Sequence, residues 1–91
     1  MHYDLVSEPQ FIRDVKKAKK RGLDLNRMYE VVKLLCDSDQ LPQKFKDHKL
    51  YDSNDLKNVR ECHILSDWLL ICRKEENTVR LIRTGTHDEL F

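Results

Sequence analysis

The stretch VRECHILSDWLLICRKEENTVRLIR, residues 59–83, decides the fold. Val59–Leu65 reads as a strand, with β-branched Val59 and Ile64 among its residues, and Trp68–Arg73 opens on a short apolar run of the length that buried strands have. Ser66-Asp67 separates the two, and Glu75-Glu76-Asn77 is a hairpin turn leading into a third run, Thr78–Arg83. Three strands in succession with short turns form an antiparallel meander. Period-two alternation places Glu61 and His63 on one side of the first of these strands and Arg60, Cys62 and Ile64 on the other.

Working outward, Phe45–Tyr51 reads as a preceding strand, followed by the polar turn Asp52-Ser53-Asn54-Asp55, and His2–Val6 as a short opening strand. Between them lie two helical patterns. Ser7 is placed to cap the first, Gln10 to complete a capping box, and Pro9 fits the first turn, where its missing N–H would be unpaired anyway. Phe11, Val15 and Ala18 give this helix one apolar stripe, and Gly22 stops it. Asp24 caps the second helix, with Leu23 set to staple onto Met28; Leu25, Met28, Val31, Val32 and Leu35 form its buried stripe. The expected domain, residues 1–91, is α+β with the order β-α-α-β-β-β-β. Its largely antiparallel sheet is covered on one face by the two N-terminal helices and open on the other.

The totals bound what such a domain does. Ninety-one residues supply one core and no deep cofactor cavity, so a shallow groove is expected as the site. The net charge is only +1, yet residues 1–35 carry eight Lys/Arg against five Asp/Glu, so a basic patch near the N-terminus is able to hold a polyanion. Cys36, Cys62 and Cys72 form no CxxC and read as reduced thiols of a cytoplasmic protein. No run approaches a membrane span, and the early Asp4 and Glu8 do not fit a signal peptide.

Three histidines, His48, His63 and His87, fall in the second half, with Asp67 four residues after His63 and Arg83 four before His87. Histidines titrate near neutrality, so two of them serve as base and acid without large pKa shifts. Any one alone is more often merely a packed or surface residue, and it is their company that favours the functional reading. A metal site from His48, Cys62, His63 and His87 finds no pair with zinc-motif spacing, and alternation turns Cys62 away from His63. No metal or cofactor is expected. Trp68 begins an apolar run and reads as core rather than as a stacking platform. For Phe91 two readings stay open, a structural plug or a group that stacks on a base. Lys16, Lys17, Lys19, Lys20 and Arg21 are either a solvated helix face complementing the helix dipole or a contact for nucleic-acid phosphates.

Asp47-His48-x-Leu50, Arg60-Glu61-Cys62-His63-Ile64, Asp67-Trp68-Leu69-Leu70-Ile71 and Arg83-Thr84-Gly85-Thr86-His87-x-x-Leu90-Phe91 together resemble the YafQ branch of the RelE superfamily, bacterial type II toxins that cleave messenger RNA. The likeness covers nearly the whole chain, and its last block is the most specific. It departs from the usual pattern in lacking glycines between Leu50 and Arg60, in Leu65-Ser66 before the Asp, and in Cys72. The resemblance implies two helices on a sheet and a metal-independent endoribonuclease acting on mRNA at the ribosome. It also implies a small DinJ-like antitoxin encoded next door, operator DNA bound only through the toxin–antitoxin complex, and no membrane. His48, His63, Asp67, Arg83, His87 and Phe91 fall on the family's active-site positions. Lys16, Lys17, Lys19, Lys20, Arg21 and Arg60 remain the candidates for contacting RNA or the ribosome.

Metal-free RNA cleavage uses the 2′-OH as internal nucleophile. It needs a base for that proton, a cation for the charge growing on the phosphate and an acid for the leaving 5′-oxygen. The residues suggest His87 and Asp67 as the acid–base pair, Arg83 on the phosphate, and His63 and His48 orienting or sharing proton transfer; the resemblance implies in addition that Phe91 positions the nucleotide. A gyrase inhibitor of the same superfamily, ParE-like, and a degenerate antitoxin-binding module are the alternatives; the first has no need of the His/Asp/Arg set, and the second is recognisable by absence of toxicity.

Overall fold

The structure, a computed structural model, describes residues 3–37, 48–49 and 59–90. Chain order is β1 (Asp4–Ser7), α1 (Pro9–Lys20), α2 (Leu25–Asp37), β2 (His48–Lys49), β3 (Val59–Leu65), β4 (Trp68–Lys74), β5 (Thr78–Gly85) and α3 (His87–Leu90). The sheet order is β1-β5-β4-β3-β2; β1 runs parallel to β5 and every other pairing is antiparallel. The architecture is the α+β domain expected, with β5 two residues longer than the pattern indicated and a terminal helical turn that the pattern did not reveal.

The two long helices form where the caps and stripes put them, with one exception. Asp24 Oδ1 accepts the Asn26 N–H at 3.0 Å, the N-cap bond expected of it. Gly22, at φ 80°, ends α1 in a Schellman turn, with Leu23 N–H donating to Ala18 O and Gly22 N–H to Lys19 O. The Ser7 capping box does not form. The N-cap is Glu8, without a side-chain cap bond, because Ser7 is still in the β1–β5 ladder opposite Leu81 while Gln10 donates to Asp14.

Met28, Val31 and Leu35 of α2 are fully buried, against Cys62, Ile64, Leu70, Cys72 and Leu81 of the sheet. Each such side chain is worth roughly 1.5–3 kcal/mol of transfer free energy, enough to fix which face the helices cover. Trp68 is core, as expected; its Nε1–H donates to Thr84 Oγ1, which donates in turn to Leu69 O.

The opposite face differs from expectation. Rather than lying open, it holds Val59, Leu69 and Ile71 buried, outside the helix-side cluster, with Glu61 only 6% exposed among them. Alternation puts Val59 and Glu61 on that side of β3, and Glu61 pairs with Ile71 across the ladder. Most of the strand expected over Phe45–Tyr51, the turn after it, His2 and Phe91 lie outside the described residues. No helix among the described residues is long and apolar enough to cross a membrane.

Candidate active site

Strand register gathers the chemistry. His48 stands opposite Glu61, Glu61 opposite Ile71, and Ile71 opposite Arg83, forming one row across four strands. The next row is His63, Leu69 and Gly85. Asp67 sits in the tight turn that joins β3 to β4, and a register shift between His63 and Leu65 adjusts the strand just before that turn. Residues 61 to 87, far apart in sequence, thus meet at one end of the sheet.

His87 opens α3, where two features of the sequence place it. Gly85 takes φ 158°, and a Cβ there would stand 3.2 Å from Glu89 Oε1, so glycine lets the chain fold back over the end of β5 without strain or displacement of Glu89. Thr86 and Glu89 then form a reciprocal capping box: Thr86 N–H donates to Glu89 Oε1 at 3.0 Å and Glu89 N–H to Thr86 Oγ1 at 3.2 Å.

The His87 ring is held from one side by Asp67, whose Oδ1 lies 2.8 Å from Nδ1 and also accepts the His87 backbone N–H at 3.2 Å. These bonds, the ring's first, hold the Asp67 carboxyl below its ordinary range, so it is ionised at neutral pH. A carboxylate on Nδ1 sets the proton there and leaves Nε2 with the lone pair in the neutral ring. Nε2 faces Glu61 Oε1 at 3.8 Å, and His63 Nε2 approaches the same oxygen at 3.5 Å. The two imidazoles are 5.7 Å apart between centroids. His87 and Asp67 are exposed, whereas Glu61 is buried.

One ligand atom from each of Glu61, His63 and His87 lies within 4.8 Å of the other two, so the three could close on a metal ion through a nitrogen-rich set suited to zinc or copper. Cys62 takes no part. It is buried on the helix side, with its thiol directed at Leu70 O.

The remaining candidates divide. Arg83 is forked onto Asp14 of α1, Nε to Oδ2 at 2.8 Å and Nη2 to Oδ1 at 3.3 Å, and Asp14 also accepts the Thr84 N–H. The bond to Asp14 raises the Arg83 pKa further, against the cost of burial. Lys17 and Arg21 are both engaged with Glu89, at 2.7 and 2.6 Å. Lys16, Lys19 and Lys20 are exposed on α1, and Arg60 is half-buried on β3 opposite Lys49 and Cys72. The His48 side chain and Phe91 lie outside the described residues.

Sequence reasoning had not singled out Glu61, Asp14 or Glu89. For Glu89 a signal existed, the Thr86-x-x-Glu89 capping pattern. For Glu61 the signal was its place one alternation step from His63.

The pattern of the family described as "Bacterial toxin of type II toxin-antitoxin system, YafQ" matches residues 3–91. The chain is 39% identical over 89 residues to the mRNA interferase toxin YafQ of Escherichia coli BL21-DE3, covering 97% of this chain and 95% of that one. Its structure is similar to the toxin in the E. coli DinJ–YafQ toxin–antitoxin complex, with TM-score 0.91, 37% identity and coverage of 100% and 99%. It is also similar to a metal-bound toxin from Helicobacter pylori, with TM-score 0.88, 40% identity and full coverage of both chains.

Proposed function

Since the chain belongs to the YafQ family of type II toxins, we propose that Glu61, His63, Asp67 and His87 form the centre at which it cuts messenger RNA. The protein is the toxin of a toxin–antitoxin pair and an endoribonuclease, an mRNA interferase. The observation that carries the assignment is the 2.8 Å contact of His87 Nδ1 with Asp67, which turns a defined Nε2 toward a second histidine and a buried carboxylate.

In this reading the 2′-OH attacks the adjacent phosphorus and the P–O5′ bond breaks; of the two proton transfers, from the 2′-OH and to the leaving 5′-oxygen, His87 carries one through Nε2 and Glu61 and His63 share the other. Asp67 is kept ionised by its bonds from His87, so it orients that ring and stabilises its imidazolium rather than moving a proton itself. Arg83 has Nε and Nη2 committed to Asp14 and offers Nη1 and its charge to the phosphate. His48, opposite Glu61 in the ladder, and Phe91, beyond α3, position the nucleotide. Lys16, Lys19, Lys20 and Arg60 add long-range attraction for the polyanion.

The partners follow. The substrate is mRNA, met at the ribosome in the cytoplasm. The cognate antitoxin is DinJ-like, a reading supported by the E. coli relative in complex with DinJ, and operator DNA is bound only through the toxin–antitoxin complex. Leu5, Ile12 and Tyr29, each 46–52% exposed around a groove between β1, α1 and α2, give it an apolar surface to cover.

Mapping new 5′ ends in mRNA incubated with pure protein, with and without ribosomes, tests the whole reading. Discrete cuts leaving 2′,3′-cyclic phosphate and 5′-OH ends are expected. Intact mRNA with DNA breaks accumulating after induction would replace it with gyrase inhibition.

A further inference from the structure

The α3 turn carries His87, yet a four-residue helix has no stability of its own, and none of its residues is buried. It is therefore held by polar ties. One is the capping box, a second is Asp67, and the third is Glu89, which reaches across to α1: Oε2 lies 2.7 Å from Lys17 Nζ and Oε1 2.6 Å from Arg21 Nη1. A cleft of about 300 Å³ opens between α1, the β3–β4 turn and α3, and its lining includes Lys17, Arg21, Asp67 and Glu89. The Glu89 ion pairs bridge it.

We infer that Lys17 and Arg21 are positioning residues for His87: they clamp Glu89, and through the capping box hold the α3 turn so that the His87 ring stays between Asp67 and Glu61. The same Glu89 oxygen that accepts the hydrogen bond from Arg21 Nη1 accepts the one from the Thr86 N–H, so the clamp and the start of the helix share one atom two residues from His87. Two of the five basic residues of the α1 run thereby leave the RNA-gripping surface, and Lys16, Lys19 and Lys20 remain in it. The Glu89 carboxyl, held down to about 2 chiefly by the Lys17 bond, is ionised throughout the neutral range, so the clamp is not a pH switch there. Displacing the ring by about 1 Å costs up to roughly 10²-fold in rate.

The inference rests on the nuclease reading, and the experiment separates the two. Wild type, Glu89→Gln, Lys17→Gln/Arg21→Gln, all three together, and Lys16→Gln/Lys19→Gln/Lys20→Gln are compared for kcat and KM on ribosome-programmed mRNA. Amide exchange at Glu89 and Leu90 is followed by NMR in the same variants. A clamp predicts that Glu89→Gln and the Lys17/Arg21 pair each lower kcat about tenfold or more with KM within twofold. It predicts that their combination is no worse than either alone. It also predicts that both variants speed amide exchange, while the Lys16/Lys19/Lys20 variant raises KM only.

If Lys17 and Arg21 instead grip RNA, losing them raises KM with kcat unchanged, and Glu89→Gln, by freeing them, lowers KM; that result overturns the clamp. Should the wild type cut no mRNA, the nuclease reading fails, and amide exchange alone decides the clamp: unchanged exchange in both variants overturns it, and faster exchange upholds it.

Discussion

On the helix-covered face of the sheet, Cys62, Ile64, Leu70, Cys72 and Leu81 are buried under side chains of α1 and α2 and carry no charge. On the opposite face Val59, Leu69 and Ile71 are buried as fully, but Glu61 lies among them with His63 and His87 at its carboxylate. Both faces come from the same three strands. Burying a carboxylate in apolar surroundings is unfavourable unless it is paired, so the second face holds Glu61 together with the imidazoles at its carboxylate, which the first face has no need of. The difference teaches where to look for chemistry in a small domain: on the face where a strand holds a buried charge against neighbours able to exchange protons with it.

The comparison breaks most sharply at His87. His87→Ala should lower kcat about 10²- to 10⁴-fold, while the melting temperature stays within a few degrees, because the side chain is half exposed. On the covered face the pattern should invert. Leu70→Ala, at a fully buried position, should cost about 2–5 kcal/mol in urea unfolding and leave kcat per folded molecule within about twofold. Similar losses of activity per folded molecule in both variants would abolish the distinction between the faces.

Asp67→Asn keeps the shape of the turn but removes the charge that orients His87, and a roughly 10²-fold loss of kcat with KM little changed is expected in single-turnover cleavage. The chemistry face should also respond to metal. If Glu61, His63 and His87 act by proton transfer, a chelator should leave the rate unchanged, and micromolar zinc or copper should inhibit by occupying the same nitrogen lone pairs. Activity lost to a chelator and restored by metal would make the triad a metal centre instead.

The smallest expected effect lies at the margin of the site and depends on pH. Glu89 has a folded value near 2 against an ordinary 4.5, because Lys17, the Thr86 N–H and Arg21 all favour its charged form. A depressed carboxylate stabilises above its unfolded value, so the tie on α3 should be fully present above about pH 4.5 and lost as pH falls toward about 2. Amide exchange at Leu90 measured across that window should speed up on the acid side, with no change between pH 5 and about pH 8 beyond the intrinsic rate. A loss of protection centred near neutrality would point to another group.

Much of this was legible in residue order. The apolar run Trp68–Ile71, the stripe Met28, Val31, Leu35 and the Asp24 cap specify their elements locally, so they appear where the periodicity put them. Ser7 misled because its backbone serves the β1–β5 ladder, and a residue in a strand is not available as a cap. Asp14 was illegible, since it sits at a stripe position of α1 for the sake of Arg83 and Thr84, 69 and 70 residues away. The basic run of α1 likewise read as one surface, and only Glu89, across the cleft, divides it into clamped and exposed members.

The sequence by itself determined the two long helices and the strands of the meander, their order, the residue types able to move a proton and, through the terminal block, the family, but not the α3 turn. Those depend on periodicity, capping chemistry and side-chain identity, which are local properties. Only the tertiary structure decided that Glu61 is buried beside two imidazoles, that Asp67 faces Nδ1 of His87, and that Arg83, Lys17 and Arg21 are already held by carboxylates. Which charges meet depends on strand register and on where one helix crosses a sheet, and no local pattern contains either.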